Sequence, residues 1–422
     1  MSHKLYFVDS VYTPSGGQRT QVTLLGTEDQ SLPLVLSLGQ NQLRMSNHRG
    51  AIKEGWYVYY DESNHQLPFG YGNFDPFAQK QFRVFNDLRD ELVDRFKDSI
   101  DRDDTYLLLQ FAESETARVY SYHVNVGHGN CSLILIQEGR SYYLWMIDCS
   151  LRDCKKHYRS NLEACLQDIA KKVGEKDFKT LRINKFFLTH PHYDHYNGMD
   201  YLLANRYIDG NTECYINLFY QIASPLYNRI IGQLKATNVR FVEPINKKSI
   251  QTIMFLHPEC RIYRSASTVS DKSVKYRIVS APLNNSSVVI RFQLGGKTMV
   301  FPGDLEKTGF DNMTKAATCS PYLCGVNYYV VSHHASINGH PTQRCLNPRR
   351  PNPSPIHCIS ACLNKAIVMG RNGAFPGIYS PIVINYFDSL PADLLFSEKD
   401  GNGNPIKFYE LEWKSGMVKC FH

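Results

Sequence analysis

Residues 184 to 200 read NKFFLTHPHYDHYNGMD, a short apolar run followed at once by His190, His192, Asp194 and His195. Three imidazoles and a carboxylate packed behind a buried strand would repel one another or stay short of hydration unless a cation joined them. The same ending recurs elsewhere in the chain. YYLWMID stops at Asp148, TMVFPGD at Asp304, and YYVVSHH at His333 and His334. In an α/β sheet, residues just past strand C-termini gather along one edge, where ligands usually bind. The pattern predicts a metal centre.

Spacing refines that expectation. His190 and His192, two apart in a loop, can face one ion, whereas the adjacent Asp194 and His195 diverge and can reach a second. Asp304 can bridge, because each carboxylate oxygen can serve one cation. Imidazoles mixed with carboxylates suit Zn²⁺, with Mn²⁺ or Fe as alternatives. Two divalent metal ions about 3.5–4 Å apart form a familiar hydrolytic arrangement.

The 422 residues allow two domains, or one large domain with an appendage. Residues 1 to 117 read as a β-rich N-terminal module (KLYFVDSVY, QVTLLG, LPLVLSLG, EGWYVYYDE) followed by an amphipathic helix over roughly 77 to 100, with Phe82, Phe85, Leu88, Leu92 and Phe96 on one face. From 118 to 422, apolar strands alternate with helical patterns, which predicts an α/β domain. Helices are expected at Asn161 to Lys172, Gly198 to Ala204 and Pro225 to Lys235, with another opening on Ser380 and Pro381. CLNPRRPNPSPIHC, with Arg349 and Arg350, reads as a surface loop.

Twelve irregularly spaced cysteines, with no CxxC pair, support neither a disulfide framework nor a zinc knuckle. The N-terminal stretch lacks a signal-peptide core and no apolar run reaches membrane-spanning length, so a cytoplasmic protein with no membrane role is expected. A net charge of +7 leans modestly toward polyanionic partners.

HPHYDH fits the HxHxDH signature of the metallo-β-lactamase superfamily. VNVGHGNCSLI, MIDCS, NNSSVVIRF, FPGDLE and VVSHHAS follow in the order of the branch found in bacterial DNA-uptake (competence) proteins. The resemblance spans about residues 118 to 415. It implies a four-layer αββα sandwich and a dinuclear site: His190 and His192 on one metal, Asp194 and His195 on the other, Asp304 between them. One imidazole of the His333–His334 pair would complete the second set; His334 is favoured as ligand and His333 as a polarising or proton-donating neighbour, although the sequence does not separate them. Asp148 matches a carboxylate that orients the histidine loop. Asp194 and His333 are the candidate catalytic residues, with His128, Ser336 and Asn338 as candidate substrate contacts.

Several positions depart from the family pattern. Asn125 and Asn130 replace aspartates, His128 replaces a glutamine, Ala335 a glycine, and Phe375 stands near an expected histidine. His257 lies in the interval where other superfamily members carry a further ligand. The function expected is a metal-dependent phosphodiester hydrolase, a nuclease or nucleotide phosphodiesterase using a metal-activated hydroxide. The alternatives are a hydrolase of small esters, lactones or phosphocholine-type groups, and a metal-bound effector subunit that docks a protein partner through residues 1–117.

Overall fold

A computed structural model describes residues 4–12, 19–26, 32–39, 57–61, 66–71, 117–153, 156–216, 224–242, 253–256, 283–307, 309–310, 323–340, 355–374 and 378–422. The expected amphipathic helix over 77 to 100, His257, Phe375 and the Arg349–Arg350 pair lie outside these residues.

The chain is a mixed α/β protein, with three sheets among the described residues. The first is antiparallel, with β1 (Lys4–Tyr12), β2 (Arg19–Gly26), β3 (Leu34–Gly39), β4 (Tyr57–Asp61) and β5 (Gln66–Tyr71) in the order β3-β2-β1-β4-β5. The second has eight strands. Its centre is the meander β6 (Arg118–Val124), β7 (Cys131–Glu138) and β8 (Ser141–Cys149), continued in parallel by β9 (Lys185–Phe187), β10 (Glu213–Tyr215) and β11 (Arg240–Val242). The C-terminal hairpin β18 (Phe408–Glu412) and β19 (Val418–Phe421) closes its other edge on β6. The third sheet runs β12 (Ile253–Leu256), β13 (Val289–Leu294), β14 (Lys297–Phe301), β15 (Tyr328–Val330), β16 (Lys365–Val368) and β17 (Asp393–Phe396), antiparallel up to β14 and parallel beyond it.

Period-two alternation explains why these strands are apolar throughout. On β7, Leu133 and Leu135 enter one core while Ile134 and Ile136 enter another. On β8, Met146 and Trp145 divide in the same way. The shared core takes Trp145, Ile147 and Phe187 from the second sheet and Ile290, Phe292 and Met299 from the third. On the outer face of the second sheet pack the helices α1 (Arg159–Val173), α3 (Met199–Ala204) and α4 (Pro225–Ala236); α2 is the short turn Tyr193–Tyr196. On the outer face of the third sheet pack α5 (Pro355–Ser360) and α6 (Pro381–Asp388). Ser224 caps α4 through its side chain and Pro225 follows at the first helical position, while Gly174 ends α1 in left-handed backbone.

The first sheet is also two-faced. Tyr6, Val8, Val22 and Leu24 form its own small core, whereas Phe7 and Leu25 are buried in the core that the second sheet shares with its helices. Among the described residues no helix is long and apolar enough to cross a membrane, and seven described cysteines are free thiols.

Candidate metal centre

β8 and β9 run parallel, as do β14 and β15, so their C-terminal ends point the same way within each sheet. The turn between β6 and β7 joins the same edge, because Cys131 at the start of β7 pairs with Cys149 at the end of β8. His128, Asp148, the 190–195 loop, Asp304 and the His333–His334 pair all stand at these ends.

One atom from each of Asp194, His195, Asp304 and His334 lies within 4.8 Å of all the others. His195 Nε2 is 3.3 Å from Asp304 Oδ1 and 3.9 Å from Asp194 Oδ1. His334 Nε2 is 3.2 Å from Asp194 Oδ2 and 3.5 Å from Asp304 Oδ2. Donors on a tetrahedral Zn²⁺ with bonds of about 2.0–2.2 Å sit roughly 3.3–3.6 Å apart, so these separations suit such an ion. His192 Nε2 is buried without a hydrogen-bond partner, and His195 Nε2 and Asp304 Oδ1 face each other at 3.3 Å without hydrogen-bond geometry, as atoms kept for a cation would. The residues fit a divalent metal.

Each imidazole of the cluster is held from behind. His195 Nδ1 lies 2.7 Å from Asp148 Oδ2, and His334 Nδ1 lies 3.3 Å from the Met369 carbonyl oxygen. Such contacts fix the tautomer and leave Nε2 as the lone-pair donor. Asp148 also accepts the Thr189 amide and hydroxyl, both at 2.8 Å, so its carboxylate holds the loop that follows β9. His190 and His192 stand beside the cluster of four, with His190 Nε2 3.0 Å from His192 Nδ1 and the His190 ring 4.1 Å from that of His195.

His333 differs from His334. Its Nε2 is 3.9 Å from Asp304 Oδ2 and 3.4 Å from the Asn284 amide nitrogen. Both histidines and Ala335 have left-handed backbone, with φ of 49°, 50° and 58°. Non-glycine residues held there cost about 1–3 kcal/mol each. The turn is anchored from two sides: the His333 amide donates to Gly303 O, and the His334 and Ala335 carbonyls accept from Tyr379 and Ser380.

His128, Asp194 and His333 keep 15%, 16% and 14% of their side-chain surface exposed, while His195, His334 and Asp304 are buried behind them. These three form the mouth. His128 Nε2 lies 3.1 Å from Asp194 Oδ2, with its ring 4.6 Å from that of His334. Ser336 and Asn338 are tied into their own loop: the Ser336 hydroxyl accepts the Asn338 amide, and the Asn338 carbonyl accepts from Lys307. Tyr193 and Tyr196 point into the core, not toward the mouth.

Charge is distributed accordingly. Burial opposes a proton on His195, but the Asp304, Asp148 and Asp194 carboxylates outweigh it and hold its pKa well above the usual imidazole range. The same contest, won by Asp304 and Asp194, lifts His334 to about 9. Against burial, His334 and His195 keep Asp304 well below the usual carboxylate range, and His195 and His128 do so for Asp194. Burial lowers His333 to about 4, and burial with the neighbouring His195 and His192 lowers His190 well below its ordinary value.

Three contributors fall outside the site residues expected from the sequence, although Asn284 opens the NNSSVVIRF motif. Thr189 links Asp148 to both His190 and His195 through its hydroxyl. Asn284 reaches His333 across 49 positions. Asn197 accepts the Leu151 and Arg152 amides and donates to the Ser150 hydroxyl, tying the segment after β8 to the ligand loop.

No protein-family model matches the chain, and no curated protein matches it. Among solved structures, the Zn²⁺-bound PqqB from Methylobacterium extorquens aligns with 65% of this chain and 97% of its own, at 12% identity and a TM-score of 0.34. A likeness of that degree bears on neither fold nor chemistry.

Proposed function

We propose that this chain is a metal-dependent phosphodiester hydrolase of the metallo-β-lactamase superfamily, competence-type branch, acting on nucleic acid or a nucleotide. The observation that carries the metal reading is the convergence of Asp194, His195, Asp304 and His334 within 4.8 Å. The three apolar cores, one shared by two sheets and one outside each, support the four-layer αββα architecture. The net charge of +7 and the competence-type motifs favour a polyanionic substrate over a small ester.

In this reading Asp194, His195, Asp304 and His334 would hold one ion, with Zn²⁺ favoured by the donor set, and His190 and His192 would serve a second. Bound there, divalent ions lower the pKa of coordinated water and stabilise negative charge at the attacked phosphorus. The chain's own residues divide the remaining work. Asp148 and the Met369 carbonyl keep the His195 and His334 rings oriented. Asp194, at the mouth and paired with His128, positions the attacking water. His333 stands at the same mouth beside the Asn284 amide, where, kept neutral by burial, it can polarise the leaving oxygen through a hydrogen bond.

A cleavage assay with Zn²⁺ or Mn²⁺ on single- and double-stranded DNA, RNA and dinucleotides tests the reading, with His192→Ala and Asp304→Ala alongside. Cleavage by the wild type and its loss in both variants is the expected result. Equal cleavage by all three proteins identifies a contaminant and removes the phosphodiesterase assignment. Turnover of small chromogenic esters without any phosphodiester cleavage reassigns the substrate.

A further inference from the structure

β1 and β2 of the first sheet pair with one irregularity: Val8 faces Leu24 and Ser10 faces Thr23, so the ladder slips at Asp9. A bulge of this kind leaves one residue out of the regular pairing and re-aims its side chain. Asp9 is 3% exposed, and its Oδ1 accepts the backbone N–H of Tyr193 at 3.3 Å. Tyr193 is the first residue of α2, the turn that carries Asp194 and His195.

That amide needs an acceptor from elsewhere. Early N–H groups of a helix have no partner within it, and the residue preceding the helix usually supplies one through its side chain. Here that residue is His192, whose side chain makes no capping bond and lies instead against His190. A carboxylate from a strand more than 180 positions away accepts the amide that opens the turn. Phe7 and Leu25, on the same face of the first sheet, are buried in one core with Tyr193 and Tyr196, so the sheet carrying Asp9 is fixed against the turn it caps.

We propose that the N-terminal sheet is a working part of the metal centre, and that Asp9 is a positioning residue that sets the Asp194–His195 turn for metal binding. The first sheet is then no detachable appendage, and the face bearing Phe7, Asp9 and Leu25 is already engaged within the chain. The inference rests on the metal reading of the site but not on the substrate.

Zn²⁺ affinity of the full chain, measured by competition with a chromogenic chelator, tests it together with amide hydrogen exchange across residues 189–199 in the metal-free protein. Asp9→Ala should bind Zn²⁺ roughly 10- to 100-fold more weakly, the usual effect of losing a group that supports a ligand. Exchange in the turn should quicken while far-ultraviolet circular dichroism stays unchanged. Asp9→Asn keeps an acceptor oxygen but loses its charge, and should fall between Asp9→Ala and the wild type. Leu25→Ala, which loosens the same interface without touching the Asp9–Tyr193 bond, should leave Zn²⁺ affinity nearer the wild type. The proposal is overturned if Asp9→Ala binds Zn²⁺ as the wild type does, or if Leu25→Ala weakens it equally. Should Asp9→Ala fail to fold, Asp9→Asn decides by the same comparison. Wild-type protein that takes up no metal removes the proposed function itself, an outcome separate from either of these.

Discussion

Asp148 and His195, 47 positions apart in the chain, meet through a 2.7 Å contact that is fully buried. The carboxylate comes from the end of β8 and the imidazole from the turn after β9, so the bond locks two neighbouring strand ends into one unit. It also decides which His195 nitrogen faces the cluster. Replacing Asp148 by Asn preserves shape, but an amide can donate to Nδ1 and favour the tautomer with a proton on Nε2. We expect Asp148→Asn to lose roughly 10- to 100-fold in Zn²⁺ affinity, as read by chelator competition. Unchanged affinity would mean that His195 does not offer Nε2 to the metal.

The two histidines after β15 should separate in function. His334 Nε2 lies within 3.5 Å of both Asp194 and Asp304, whereas His333 approaches only Asp304, at 3.9 Å. His334→Ala should therefore lose bound metal. His333→Ala should keep the wild-type metal content while kcat falls by roughly 10²–10³, the range for a lost hydrogen-bond donor to developing charge. Elemental analysis beside single-substrate kinetics checks both, and a metal-depleted His333→Ala would reverse the assignment.

The centre was legible in the sequence where apolar runs stop abruptly at ligand-type residues. Asp148 is the penultimate residue of β8, and His190, Asp304 and His334 follow the ends of β9, β14 and β15 by three or four residues, so strand direction carries them to one edge. What lay hidden depended on backbone conformation or on distant segments. Ser336, which follows the histidine pair, accepts the Asn338 amide at its hydroxyl, a local turn the sequence does not announce. His128 reads in sequence as a turn residue or a phosphate donor, and the fold sets it against Asp194. Asp9 leaves no trace, since a bulge and a docked sheet exist only once two segments have met. The apolar runs of β7 and β8 predicted strands readily; which face meets which partner required both sheets.

Gly129 is needed where the β6–β7 turn crosses the ligand loop. Its φ is 128°, and a Cβ there would lie 2.5 Å from the Asp194 carbonyl oxygen and 2.6 Å from the Ser150 side chain. The backbone of Asp194 has little room to retreat, because its carbonyl also accepts the Asn130 amide at 3.0 Å. Gly129→Ala should thus displace Asp194 as well as strain the turn, destabilising the fold by about 2–4 kcal/mol and lowering Zn²⁺ affinity together with it. Urea unfolding and metal titration on the same preparation test the pairing; loss of stability with intact metal affinity would show that the turn yields without moving Asp194.

Acid sensitivity should arise partly away from the metal. His123 on β6 is fully buried, with its ring nitrogens 3.0 Å and 3.2 Å from the Ser132 and Ser121 hydroxyls and its ring stacked on Tyr409. Burial lowers its pKa to about 3 from an ordinary 6.5. Between those values the unfolded chain binds a proton that the fold excludes, so this contribution is complete above 6.5 and is lost as pH falls toward 3, at about 1.4 kcal/mol per pH unit. His123→Phe keeps the stack but leaves the two serine hydroxyls without the imidazole, costing about 1–3 kcal/mol at neutral pH. Urea unfolding of metal-free wild type and variant at pH 7.5, 5.5 and 4.5 should therefore show the wild type ahead at the highest pH and the gap closing or reversing at the lowest, with parallel losses in the two proteins assigning the acid response to other groups.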